Sequence, residues 1–315
     1  MEFTILHNSG GNHGHQLKDH FGGITIGKLL GLEYRHSAYS YLDYFLPGLK
    51  EVELSRIERV LRRKHRIIGP VWGGIPDFEG FMDYFKQHFE RSHQGSLIVL
   101  EKAMRILPHQ TIKWFEAKQI DRDIFSEVVR ENSRRFRANN ENSFSLQRSE
   151  VVNVAMHIGR GADFDECLYP EHFRSSKEPR FMFNIDYFMN IYEQLNSLFG
   201  RKGMQVDVYS EQINSEDIIA AFGDIENVNI RIGENRDRIT SADVHDIFTS
   251  FVTSDVLVTC NSSFSVMAVY YREGRPTIYH PHYHLMDLPE SPYLATDEYG
   301  HFQVDILGRI VLNVI

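Results

Sequence analysis

The spacing of apolar and polar positions along the chain changes many times, and each change predicts an element. Residues 3–6 form an apolar, strand-like run, and the Gly-rich stretch 9–14 after it reads as a loop. Ile24, Ile26, Leu29 and Leu30 then fall on one helical stripe, as do Val52, Leu54, Ile57, Val60 and Leu61. Residues 96–100 read as a short buried strand and 111–130 as a long amphipathic helix. Residues 131–149 are rich in Asn, Ser and Arg and poor in apolar side chains, which puts a domain junction there and divides the chain into 1–148 and 149–315.

The second half alternates regularly. Strands are expected at 151–158, 204–209, 228–232, 256–259 and 276–279, and helices at 181–198, 215–222, 242–253 and 262–272. That alternation means βαβ units and a parallel, doubly wound α/β sheet. Ligands of such sheets sit beyond the carboxyl ends of the strands, so the loops after Ile158, Tyr209, Ile232 and Cys260 should line a site.

Composition narrows the classes. A chain of 315 residues suits two domains of about 150 residues each. Its net charge of −9 provides no basic field for a nucleic-acid backbone or an anionic membrane, so a bound phosphate must be met locally. Cys167 and Cys260 form no CxxC pair; they are either one bridge or two reduced thiols, and the second suits this composition better. No run of about 18 apolar residues occurs, and the N-terminus has no basic stretch ahead of an apolar core. The chain therefore reads as cytoplasmic, or as freed of an anchor.

Two strand-to-helix loops have the composition of an anion site. Asn261, Ser262, Ser263, Phe264 and Ser265 precede an apolar helix, where small hydroxyl residues and the helix N-terminus could hold a diphosphate. The same residues also make an ordinary N-cap, and both readings stay open. In His157-Ile158-Gly159-Arg160-Gly161-Ala162-Asp163, an arginine able to grip phosphate in two places lies between glycines that permit close approach.

These segments resemble a known clan. Residues 255–265, Asp-Val-Leu-Val-Thr-Cys-Asn-Ser-Ser-Phe-Ser, are similar to the NSSFS segment of α-1,2-fucosyltransferases and the SSF segment of protein O-fucosyltransferases. Residues 157–164 resemble their HxRxGxD and HVRRGD motifs, and residues 10–30, from Gly-Gly-Asn-His-Gly-His-Gln onward, the G-N-Q loop and helix with which protein O-fucosyltransferases begin. Val208-Tyr209-Ser210-Glu211 stands where the clan has a strand ending in Ser-Asp or Thr-Asp. The pieces occur in the family's order; residues 35–150 have no recognisable counterpart.

The resemblance implies a GT-B fold, with two Rossmann-like domains facing across a cleft, an acceptor-side domain at 1–148 and a nucleotide-sugar domain at 149–315. It implies inverting transfer of a sugar, normally from GDP-fucose, to a glycan or protein hydroxyl without metal or other cofactor. Carried over residue by residue, Gly11, Asn12, His157, Arg160, Ser210, Ser262, Ser263 and Phe264 would contact the donor, and Asp246, or Asp243 one turn earlier, the guanine edge. Two departures matter: Gly159 stands where the family has its arginine, the positive charge coming at Arg160, and Gly14-His15-Gln16 replaces Gly-Asn-Gln. They open the way to another donor, such as a xylose or rhamnose nucleotide, or to a catalytically silent binding relative.

Inverting transfer needs a base for the acceptor hydroxyl and positive or N–H groups for the leaving diphosphate. Arg160 and the serine turn meet the second need. His13 aligns with a catalytic Glu of the family and titrates near neutral pH, with His15 beside it and Asp163, Asp165 and Glu166 as carboxylate alternatives. His280, His282 and His284 have an HxHxH look, but no Cys, Asp or Glu ligand lies within that run, so they read as structural or acceptor-facing rather than zinc-binding. Trp72 and Trp114 suit either packing or a sugar platform.

Overall fold

A computed structural model of the chain describes residues 4–8, 14, 17, 20, 21, 24, 28, 33–36, 64–68, 97–101, 122–141, 144, 151–159, 184–211, 215–233, 241–260, 262–272, 274–280 and 292–314. The chain divides into two compact units, Met1–Asn139 and Asn140–Ile315.

In the first unit β1 (Thr4–Asn8), β2 (Glu33–His36), β3 (Lys64–Ile68) and β4 (Leu97–Glu101) pair in parallel in the order β2-β1-β4-β3. Parallel neighbours need a crossover, and between β1 and β2 residues Gly14, Leu17, His20, Phe21, Ile24 and Lys28 are helical, at spacings that share one face. The helix thus already includes Gly14, inside the stretch expected as a loop. Its buried stripe is Leu17, His20 and Phe21, and the polar His20 hid the period. That histidine is tolerated inside because Nδ1 lies 3.1 Å from the Tyr34 hydroxyl of β2.

Helix α1 (Arg122–Asn139) occupies the first part of the polar stretch 131–149, and the division between the two units falls at its end. Val128, Val129 and Phe136 bury its apolar side together with Asn132 and Ser133. The Asn132 amide donates to the Val128 carbonyl at 2.8 Å, satisfying a buried group that composition alone counts as loop-forming. Lys28 Nζ meets Glu127 at 2.8 Å and ties the first helix to α1.

The second unit contains β5 (Val152–His157), α2 (Ile185–Phe199), β6 (Met204–Glu211), α3 (Glu216–Phe222), β7 (Val228–Gly233), α4 (Ser241–Thr253), β8 (Val256–Val258), α5 (Ser263–Val269), β9 (Thr277–Tyr279), β10 (Tyr293–Ala295) and α6 (Val304–Val314). Its strands are all parallel, in the order β10-β9-β8-β5-β6-β7. Counted from β5 this is 3-2-1-4-5-6, the order of a doubly wound Rossmann sheet. The alternating pattern of the sequence corresponds to β5 through β9, while β10 and α6 lie beyond the last element it predicts.

Strand β5 is buried on both sides, as a central parallel strand must be. Val152, Val154, Met156 and Ile158 join the core with Tyr187, Phe188, Ile191, Leu195 and Phe199 of α2. The alternate residue His157 turns to the other face, its ring centroid 5.2 Å from that of Phe251 on α4. Asn184 starts α2 as its N-cap, accepting from the Tyr187 N–H at 3.1 Å. Beyond α4 the chain turns into β8 around Arg272, which is fully buried. Its guanidinium donates to the Phe251 carbonyl, Ser254 Oγ at 2.8 Å and the Pro276 carbonyl at 2.9 Å. Burial, with Arg275 nearby, holds the Arg272 pKa well below the usual arginine range, against the pull of Asp255.

Candidate functional site

The chain builds β5, β6 and β7 outward in one direction, then α4 carries it back to lay β8 on the other side of β5. Helix α2 packs with Val152, Val154 and Met156, whereas Phe251 of α4 meets His157 and Phe264 of α5 on the other face. The ends of β5 and β8 are thus the switch point, where sheets of this kind take ligands in a crevice beyond the carboxyl ends. His157 ends β5 and Ile158 and Gly159 follow it; Thr259, Cys260 and Ser262 follow β8. These two groups are about a hundred residues apart in sequence, and they are the two loops that the sequence singled out.

At the junction Cys260 Sγ lies 3.2 Å from His157 Nδ1. Both residues are buried, at 5% and 7% exposure, and Cys260 is a free thiol. A Cβ placed on Gly159 would stand 3.0 Å from the same sulfur, so glycine is the residue this position accommodates without displacement. Cys260 Sγ is also 4.0 Å from Ser265 Oγ in the first turn of α5.

Ser262 is the N-cap of α5, with φ −121° and ψ 127°, and its Oγ accepts from the Phe264 N–H at 3.3 Å. The cap reading is thus realised. The hydroxyl keeps its own hydrogen, so capping and donation to a ligand are compatible. Ser263 is the first helical residue of α5, and Ser265 Oγ donates to the Ser262 carbonyl at 3.3 Å. Phe264 is half-buried, its ring 5.4 Å from Phe248 and 5.9 Å from Phe251 between centroids. Phe251 thus packs against both His157 and Phe264, a role no feature of the sequence indicated beyond its place in a helical stripe.

On β6, Ser210 is buried and its Oγ has no hydrogen-bond partner among the described residues. Its neighbour Tyr209 donates to Ser250 Oγ at 2.6 Å, and the Arg231 guanidinium lies 5.7 Å from the Tyr209 ring centre. Burial raises the Tyr209 pKa, with the Ser250 bond acting against it. Asp246 on α4 is 81% exposed at its side chain, 3.7 Å from the adjacent His245, while Asp243 lies exposed in the first turn. His245 Nε2 is 3.1 Å from Asn140 Oδ1. His280, at the end of β9, is buried with its ring 6.3 Å from that of Tyr187.

Gly11, Asn12, His13, His15, Arg160 and Asp163 lie outside the described residues, as do Asp165, Glu166, Cys167, His282, His284, Trp72 and Trp114. Among the described residues no three His, Cys, Asp or Glu side chains are grouped to hold a metal ion, and no helix is long and apolar enough to cross a membrane.

No protein-family model matches the chain, and no curated protein sequence does. Solved structures do. The E. coli ADP-heptose LPS heptosyltransferase II is 14% identical, covering 100% of this chain and 99% of that one at a TM-score of 0.47. NodZ α-1,6-fucosyltransferase soaked with GDP-fucose is 11% identical over 96% and 98% of the two chains, also at 0.47. POFUT1 in complex with GDP is 13% identical over 93% and 98%, at 0.43. Each of these likenesses extends over nearly the whole chain.

Proposed function

We propose that the chain is a glycosyltransferase of GT-B architecture that takes its sugar from a nucleotide diphosphate donor bound in the crevice beyond β5 and β8. One observation carries this reading: the two segments whose residues resemble donor-binding motifs end on adjacent strands at the switch point of a 3-2-1-4-5-6 sheet, in contact through Cys260 and His157.

In the proposed reaction an acceptor hydroxyl oxygen attacks the anomeric carbon of the donor, the bond to the diphosphate breaks, and the configuration inverts. His13 takes the acceptor proton, with His15 or Asp163 as alternatives. Arg160 and the hydroxyls of Ser262 and Ser263 meet the charge on the leaving diphosphate. His157, Gly11, Asn12, Ser210 and Phe264 shape the rest of the donor site, and Asp246 or Asp243 reads the base. No metal takes part, and the acceptor is a glycan or a protein hydroxyl.

GDP-fucose is the first donor to test. A second reading, the same mechanism with a UDP-xylose or rhamnose nucleotide, is favoured by the tight fit of Gly159 on Cys260, which leaves the position without the family's arginine. Thermal stabilisation by GDP, GDP-fucose, UDP and UDP-xylose separates the two. A shift with the guanine compounds supports fucose, a shift with uracil compounds alone replaces it, and no shift with any nucleotide diphosphate overturns the transferase reading.

A further inference from the structure

Cys260 lies where the segments that follow β5 and β8 meet. Its sulfur reaches the His157 ring at 3.2 Å, the space above Gly159 at 3.0 Å and the Ser265 hydroxyl at 4.0 Å. The sulfur belongs to an apolar core cluster that includes Val258, Ile278 and Tyr187. A neutral thiol has one hydrogen to place. Ser265 spends its own hydrogen on the Ser262 carbonyl, so its oxygen is an acceptor at 4.0 Å, while the imidazole nitrogen is the nearer one at 3.2 Å.

We propose that Cys260 is a positioning residue for the crevice: its thiol donates to His157 Nδ1, holding the ring as the Nε2–H tautomer, and its sulfur imposes glycine at position 159. The proposal deepens the reading of the crevice as the donor site and rests on it for its link to activity. The contact keeps the imidazole from rotating and leaves Nε2–H as its donor. The sulfur also fills the volume that any side chain at 159 would need, so the two loops are fitted to each other across the switch point.

Nitrogen NMR of the histidine rings in the ligand-free protein tests the first half without any donor. The His157 Nδ1 signal is expected in the unprotonated range in the wild type and in Cys260→Ser, whose hydroxyl also donates, and to move toward a tautomer mixture in Cys260→Ala. The second half is read as coupling. Gly159→Ala is expected to weaken nucleotide binding about tenfold in the wild-type background and far less in the Cys260→Ala background, the size of a direct-contact coupling. Circular dichroism of each variant checks that it is folded, and thermal unfolding midpoints supply the same cycle should no nucleotide bind. Identical His157 signals in the wild type and Cys260→Ala, or an equal cost of Gly159→Ala in both backgrounds, overturn the proposal. Absence of nucleotide binding by the wild type, with the NMR result as expected, overturns the donor-site reading alone.

Discussion

The Tyr187 hydroxyl meets Thr296 Oγ1 at 2.7 Å, joining the first turn of α2 to the end of the last strand, β10, across 109 positions of sequence. Tyr187 is 2% exposed and Thr296 4%, so neither group has water to fall back on. Tyr187→Phe keeps the packing and strands the threonine hydroxyl, and should cost about 1 kcal/mol in urea unfolding. Tyr187→Ala should cost about 3–5 kcal/mol through the cavity it leaves. Equal costs for the two would mean that the hydroxyl contact, not the ring, holds the strand.

Buried phenols set an alkaline limit. Burial raises the pKa of Tyr187, Tyr209 and Tyr271 above the ordinary tyrosine value. Since the unfolded chain releases these protons first, the folded state holds more protons above pH of about 10, and stability should fall as pH rises from there. Each phenol that stays protonated in the folded state steepens the fall by about 1.4 kcal/mol per pH unit. Urea midpoints across that range, in the wild type and in Tyr271→Phe, check the sign and the share of one residue. An unchanged slope in the variant would remove Tyr271 from the account.

At Ser262 the two functions separate by measurement. Loss of the N-cap in Ser262→Ala should cost about 1 kcal/mol of stability. If the hydroxyl also donates to the donor diphosphate, nucleotide affinity should drop as well, by about tenfold for a charge-assisted bond. A fall in stability with calorimetric affinity intact would leave Ser262 as a cap only.

Arg160→Ala should abolish transfer and weaken nucleotide diphosphate binding by about a hundredfold while leaving the nucleoside alone bound as before. Sugar release from labelled donor and calorimetry with both ligands read this directly. Transfer at the wild-type rate would remove Arg160 from the mechanism.

Arg272→Ala leaves the carbonyls of Phe251 and Pro276 without this donor at a fully buried corner, and should cost about 3–5 kcal/mol. Arg272→Lys, with one compact ammonium in place of a planar fork, should recover only part of it. Because Phe251 backs both His157 and Phe264, this variant should also weaken nucleotide binding. Full stability in the alanine variant by urea unfolding would refute the corner's role.

The second unit was readable because a parallel sheet buries both faces of its strands, so 152–158 and 256–260 stand out as apolar runs between helical stripes. The candidate loops could be found for the same reason, since they follow those runs. What the sequence hid depended on pairing in space. Nothing local marks the polar His20 and Asn132 for burial; Tyr34 and the Val128 carbonyl beside them make it possible. Gly159 reads as a departure from a motif until Cys260 fills its space, and nothing local marks Arg272, whose partners Phe251, Ser254 and Pro276 converge only in the fold.

The strand order of the second unit also sets an itinerary for synthesis. When β5 leaves the ribosome its first available partner is β6, because β8 follows about a hundred residues later. Until then the central strand must wait with one apolar edge unpaired, a state open to misjoining with other nascent chains. The crevice therefore cannot exist on a chain cut short before Cys260, and slowing translation after β7 should favour aggregation over folding.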